Sequence, residues 1–133
     1  MVTGLAHVCF TVADLDRALR FYRDTLGFKV AFDFVRENGE RYGVYLKTGT
    51  RSFIELFAGT VAPAPKGVSY RHICLEVDDL PATVADLRGK GVEVSDPKLG
   101  MDQSWQAWLA DPDGNAIELH AYTPASWQKP WVG

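Results

Sequence analysis

The chain has 133 residues, 47% hydrophobic and 23% charged, with a formal net charge of -3. That is the make-up of one folded domain or of two very small units, and it offers no basic surface for a phosphate backbone, so no nucleic-acid partner is expected. Two cysteines are too few for a disulfide framework, the first residues lack a secretory pattern, and no run approaches the roughly 18 apolar residues of a membrane span; a cytoplasmic protein without a membrane partner is expected.

In chain order, Leu5–Val12 alternates and is rich in β-branched residues, which predicts a strand. Asp14 caps a helix with an apolar stripe of Leu15, Ala18, Leu19, Tyr22 and Leu26; Arg17, Arg20, Arg23 and Asp24 lie on its wet face and Gly27 stops it. Strands follow at about residues 28–36, 41–47 and 52–57, punctuated by Asn38-Gly39 and Thr48-Gly49. Residues 59–69, with two prolines and two glycines, read as a linker. Tyr70–Val77 is the next strand. Asp79 caps a second helix with Pro81 in its first turn and the stripe Leu80, Val84 and Leu87, ended by Gly89 and Gly91. Strands near Val92–Ser95, Trp105–Ala110 and Asn115–Tyr122 complete the set, with Asp111-Pro112-Asp113-Gly114 as the turn before the last.

The two halves repeat each other. His7–Leu15 reads HVCFTVADL and His72–Leu80 reads HICLEVDDL, with five of nine positions identical at an offset of 65. Phe53–Phe57 (FIELF) answers Ala116–His120 (AIELH) at an offset of 63. Duplication predicts two tandem βαβββ modules, 1–58 and 70–122, followed by a tail over 123–133. The fold class expected is α+β, an eight-stranded curved sheet (a half-open barrel) with helices on its outer face.

Strand alternation sorts the side chains. Val8, Phe10 and Val12, like Ile73, Leu75 and Val77, should pack under the helices; so should Ile54, Leu56, Ile117 and Leu119. The other face collects His7, Cys9, Thr11, Phe53, Glu55 and Phe57 from the first module, and His72, Cys74, Glu76, Glu118, His120 and Tyr122 from the second. A glutamate between two phenylalanines, as Glu55 is, is expensive to desolvate unless a cation compensates it. Two imidazoles and two carboxylates suit one divalent ion such as Zn, Ni, Co, Mn or Fe, and would give a neutral site around a +2 charge. His7, Glu55, His72 and Glu118 are therefore the expected metal ligands. Cys9, Thr11, Phe53, Phe57, Cys74, Trp108, His120 and Tyr122 are the expected pocket wall for a small organic substrate; packing alone accounts for most of them equally well. Trp127 and Trp131 make the tail unusually apolar, suited to covering a cleft, sealing a dimer or docking on the surface.

His7–Phe28 (HVCFTVADLDRALRFYRDTLGF) and Asp111–Leu119 (DPDGNAIEL) resemble the signatures of the vicinal oxygen chelate superfamily, which includes glyoxalase I, bleomycin-resistance proteins and extradiol dioxygenases. The resemblance extends to about Tyr122. It implies paired βαβββ modules, a homodimer, and metal positions on His7, Glu55, His72 and Glu118, a set most similar to bacterial glyoxalase I. It further implies a lyase or isomerase acting through an enediolate-like intermediate, with Glu55 or Glu118 as general base. Two alternatives share the fold: an Fe(II) dioxygenase using His7, His72 and Glu118, and a non-enzymatic drug-binding protein. Where bacterial glyoxalase I typically has an arginine that helps bind glutathione, this chain has Thr11, and the asparagine that often follows the first glutamate strand is missing; the resemblance therefore does not carry glutathione with it.

Overall fold

A computed structural model describes residues 1, 3–63, 67 and 69–132. Of the linker expected over 59–69, positions 64–66 and 68 lie outside the described residues, as do Val2 in the first module and Gly133 in the tail. The chain divides into two units, residues 1–64 and 65–133.

In the first unit, β1 (His7–Val12) leads into a helix, and β2 (Lys29–Val35), β3 (Arg41–Lys47) and β4 (Phe53–Ala58) follow. The sheet order is β1-β4-β3-β2, with β1 parallel to β4 and the other pairs antiparallel. The second unit repeats this. Its strands β5 (Ile73–Glu76), β6 (Lys98–Leu99), β7 (Trp105–Ala110) and β8 (Ala116–Ala121) pair in the order β5-β8-β7-β6, again with only the first pair parallel. The fold is the expected α+β arrangement of two tandem βαβββ modules, and among the described residues eight strands hydrogen-bond as two sheets of four.

Both helices start in the same way. The Asp14 carboxylate accepts from the Arg17 amide at 3.0 Å, and the Asp79 carboxylate from the Ala82 amide at 2.9 Å, each satisfying a donor the first helical turn leaves free. The first helix departs from expectation after one turn. α1 covers Leu15–Leu19, and Arg20–Thr25 continues as a π-helix in which the Leu26 amide donates to the Phe21 carbonyl. The wider turn carries one more residue than an α-turn, so two consecutive aromatic side chains, Phe21 and Tyr22, both enter the core, while Leu26, expected on the stripe, is only half-buried. The second helix, α2 (Leu80–Gly89), is regular and buries Leu80, Val84 and Leu87 as expected.

Each helix covers the apolar face of its own sheet. Val12, Val44, Leu46 and Leu56 are fully enclosed in the first unit, and Ala107, Ile117 and Leu119 are enclosed in the second. Each such large aliphatic side chain contributes about 1.5–3 kcal/mol on leaving water.

The expected strand at Val92–Ser95 does not form. Pro97 removes a ladder donor just downstream, and the Ser95 hydroxyl takes the place of a backbone carbonyl, accepting from the Trp108 amide at 2.8 Å while the Ser95 amide donates to the Trp108 carbonyl. Regular pairing resumes only at β6, two residues long. The turn at Asp111–Gly114 forms as expected. Buried Asp111 accepts from the amides of Asp113 and Asn115, and Gly114 takes φ +84°, a value L side chains rarely adopt. This turn sets where β8 begins and hence which of its residues face the open side of the sheet.

The tail folds back over the loop before β7 and ends in a short helix, α3 (Lys129–Val132). The Ser104 hydroxyl donates to that of Ser126 at 2.8 Å and the Thr123 hydroxyl donates to the Gln103 carbonyl at 2.7 Å. Trp127 and Trp131 nevertheless stay exposed.

Truncation of an enclosed side chain on β8 should cost far more than loss of a helix cap. Leu119→Ala is expected to lower unfolding stability by about 3 kcal/mol and Asp79→Ala by about 1 kcal/mol, measured as shifts in urea unfolding curves.

Candidate functional site

The open face of the first sheet is built by β1, β4 and β3. Parallel pairing sets Cys9 opposite Glu55, and antiparallel pairing sets Tyr45 opposite Glu55 from the other side. His7, two residues before Cys9 on the same face, brings its Nε2 to 3.8 Å from Glu55 Oε1. Its Nδ1 lies 3.2 Å from the Tyr45 hydroxyl. With the proton on Nδ1 the ring donates to Tyr45, and the Nε2 lone pair is left on the side of the carboxylate. The Tyr45 ring is itself stacked between Phe32 and Phe53, with centroids 4.7 and 4.9 Å away. Glu55 is thus mostly buried among aromatic rings. Gly43 makes room on this face: a Cβ there would meet the Phe57 ring at 2.5 Å.

The second sheet repeats the plan with different neighbours. Cys74 and Trp108 stand opposite Glu118 on its two sides. His72, one residue before β5, places Nε2 3.1 Å from Glu118 Oε2 and meets Trp108 edge-on at 4.8 Å. The other carboxylate oxygen, Oε1, lies 3.1 Å from Nδ1 of His120. His120 is buried, and its Nε2 is 3.9 Å from Asp102 Oδ2 with no hydrogen-bond partner among the described residues. Tyr122 packs edge-on against the same ring.

The expected ligands therefore come together in pairs, His7 with Glu55 and His72 with Glu118. Two donor atoms about 2.1 Å from one ion would stand roughly 3–3.5 Å apart. The second pair, at 3.1 Å, meets this spacing, and the first, at 3.8 Å, is somewhat wider. Cys74, Glu118 and His120 also form a group whose ligand atoms all lie within 4.8 Å of one another. Nitrogen and carboxylate donors of this kind fit a borderline divalent cation, which would offset the cost of burying a carboxylate.

Of the expected pocket residues, Cys9, Thr11 and Cys74 are exposed on these faces, Phe53, Phe57 and Tyr122 are half-buried, Trp108 is exposed and His120 is buried. Both cysteines are free thiols. Burial raises the Cys9 thiol pKa, helped by Glu55; Cys74 is pushed up to about 12, first by desolvation and then by the neighbouring Glu118, Asp102 and Glu76 carboxylates. Two contributors were missed in the sequence. Tyr45 was legible from strand pairing, since it sits across from Glu55 as Trp108 sits across from Glu118. Asp102 lies in a loop, where no periodicity marks it.

Residues 4–119 match the family profile of the Glyoxalase/Bleomycin resistance protein/Dioxygenase superfamily. The chain belongs to that superfamily. Lactoylglutathione lyase of Haemophilus influenzae is 33% identical over 124 residues, covering 86% of this chain and 90% of the relative. The crystal structure of SMU.1112c superposes with a TM-score of 0.79 at 26% identity, covering 90% and 99% of the two chains. That of TnmS3, an antibiotic binding protein from Streptomyces sp. CB03234, superposes with a TM-score of 0.75 at 29% identity, covering 92% and 98%. Among the described residues of this superfamily member, no helix is long and apolar enough to cross a membrane.

A thiol titrating near 12 is almost wholly protonated at pH 8, where a free cysteine is partly thiolate. In a Cys9→Ser background, iodoacetamide should therefore alkylate Cys74 of the metal-free protein at least about tenfold more slowly than free cysteine at pH 8. Glu118→Gln, which removes a neighbouring negative charge, should lower the thiol pKa and speed the reaction. Mass spectrometry of the modified peptide gives both rates.

Proposed function

We propose that this superfamily member is a metal-dependent lyase or isomerase of the glyoxalase type, with His7, Glu55, His72 and Glu118 as ligands to one divalent ion. The observation that carries this reading is the recurrence, in each module, of an imidazole nitrogen facing a half-buried carboxylate oxygen, at 3.8 and 3.1 Å. The 33% identity to a lactoylglutathione lyase supports the same class. Working as a cytoplasmic homodimer is part of the proposal.

When bound, the ion would supply electrophilic stabilisation of negative charge developing on two neighbouring substrate oxygens. The protein's own groups do the rest. Glu55 or Glu118 takes a proton from the carbon beside those oxygens and returns it to the next carbon. Tyr45 holds the His7 ring by its Nδ1, so that the ring presents a single nitrogen. Exposed Trp108 and half-buried Phe53 and Tyr122 offer apolar surface to a small organic substrate. Binding through two neighbouring oxygens suits a small α-hydroxy or dicarbonyl compound, and Thr11, where the family resemblance would place a glutathione-binding arginine, leaves the cosubstrate open.

The likeness to an antibiotic binding protein favours a second reading, a binding module without turnover. Metal content separates the two. Protein purified without chelators is expected to carry roughly one divalent ion per chain. It should also catalyse solvent-deuterium exchange at a C–H of one member of a panel of α-hydroxy and dicarbonyl compounds. Chelation should abolish that exchange, and Glu118→Gln should reduce it by about a hundredfold or more. Exchange that survives in Glu118→Gln would remove this residue from the mechanism. A metal-free protein that binds a drug-like aromatic compound would favour the binding module, and oxygen consumption with Fe(II) would favour a dioxygenase.

A further inference from the structure

We infer that His120 is a positioning residue for Glu118, and that Asp102 and the C-terminal segment Thr123–Gln128 brace it in turn. The inference rests on the reading of Glu118 as a metal ligand and concerns what holds that ligand in place.

The two oxygens of Glu118 face two different imidazoles. Oε2 is 3.1 Å from His72 Nε2, and Oε1 is 3.1 Å from His120 Nδ1. An ionised carboxylate only accepts, so the proton lies on Nδ1, and His120 donates to Oε1. That hydrogen bond fixes the rotation of the carboxylate and leaves Oε2 on the side of His72. The same device is common behind metal-ligating side chains, where a partner on the far atom selects one orientation of the ligand.

Packing does not explain the histidine. Its side chain is 10% exposed, and its Nε2 is buried without a hydrogen bond among the described residues. A buried polar atom without a partner works against stability, so apolar packing alone would favour a hydrocarbon side chain at this position. The duplication supplies the comparison: at the offset of 63 that aligns Glu55 with Glu118, His120 aligns with Phe57. A phenylalanine fills that position in the first module with no polar atom to satisfy. What the imidazole adds is the Nδ1 donor.

The ring is braced from its far side. Asp102 Oδ2 stands 3.9 Å from Nε2 and accepts from the Gln128 side-chain amide at 2.6 Å; its Oδ1 accepts from the Ser104 amide at 3.2 Å. The Asp102 carbonyl accepts from the Trp127 amide at 2.9 Å. The tail thus reaches the ligand through three groups, Gln128 to Asp102, Asp102 beside His120, and His120 to Glu118.

The test uses the full-length, metal-free protein titrated with zinc alone against a chromophoric chelator, with thermal unfolding of each metal-free variant in parallel. His120→Leu should lose zinc affinity by about 10–100-fold while its metal-free melting temperature changes little, since the lost hydrogen bond to Glu118 and the removal of the unserved Nε2 act in opposite directions. His120→Asn, whose Nδ2 falls where Nδ1 was, should recover most of the affinity; His120→Gln, whose nitrogen falls at the Nε2 position, should not. Gln128→Ala should show a smaller loss in the same direction. Wild-type affinity in His120→Leu, or equal affinities for the Asn and Gln variants, overturns the positioning role. Should His120→Leu fail to fold, the Asn and Gln pair still decides. If wild type and Glu118→Ala bind zinc equally, or neither binds it, the ligand reading itself fails and the brace falls with it. That result differs from one in which only the His120 variants are silent.

Discussion

Parallel pairing of the first and last strands within each module is the constraint on which the site depends. A parallel partner in the same sheet requires a crossover, and α1 with its π-turn, or α2, is part of that crossover. Covering one face of the sheet with the helix commits that face to Phe10, Val12, Ile54 and Leu56, or to Leu75, Ile117 and Leu119. The pleat then sends the alternate residues to the other side. A histidine at the start of the first strand and a glutamate in the middle of the last are brought together by the same pairing that closes the core. A one-residue slip would bury the carboxylate under the helix and expose the leucines, so the hydrophobic pattern protects the site's geometry.

What the pairing creates is unfavourable without a partner. Glu55 and Glu118 retain only 18% and 13% side-chain exposure, between rings and strands that offer few donors. Each module provides an imidazole, which can donate a proton to the carboxylate or share a cation with it. Either arrangement offsets the desolvation. In the first module Tyr45 orients the imidazole, and in the second His120 orients the carboxylate. Desolvation first, and then the Glu118 carboxylate beside it, push the Cys74 thiol up to about 12, so it stays protonated and uncharged at neutral pH.

Much of this was legible in the amino-acid order because it is carried by periodicity and by repetition. His7 and His72, Glu55 and Glu118, both aspartate caps and the Asp111–Gly114 turn are local features with local signatures. The π-turn was not legible, since Phe21-Tyr22 inside a helical stripe reads as one core residue and one surface residue until tertiary packing pulls both inward. Nor was the loss of the strand at Val92–Ser95, where a serine hydroxyl replaces a ladder carbonyl ahead of Pro97. Tyr45 lay one inference further on, visible only once β3 is registered against β4. Asp102 reaches His120 from a loop whose position is set by hydrogen bonds to the tail, a long-range relation that no spacing encodes.

The two modules share a histidine–glutamate pair and differ in its surroundings. Tyr45 and Phe57 in the first correspond to Trp108 and His120 in the second, at the same offset of 63. The exchange moves the polar support from one partner of the pair to the other: a hydroxyl behind the imidazole in one case, an imidazole behind the carboxylate in the other. A carboxylate gripped at both oxygens has little freedom left to rotate, whereas Glu55, flanked by Phe53 and Phe57, has no such imidazole clamp. Two glutamates that descend from one ancestral position have thereby become chemically unequal. On the proposed chemistry a single carboxylate takes the proton from one carbon and returns it to the next, and the looser hold on Glu55 suits it to that movement.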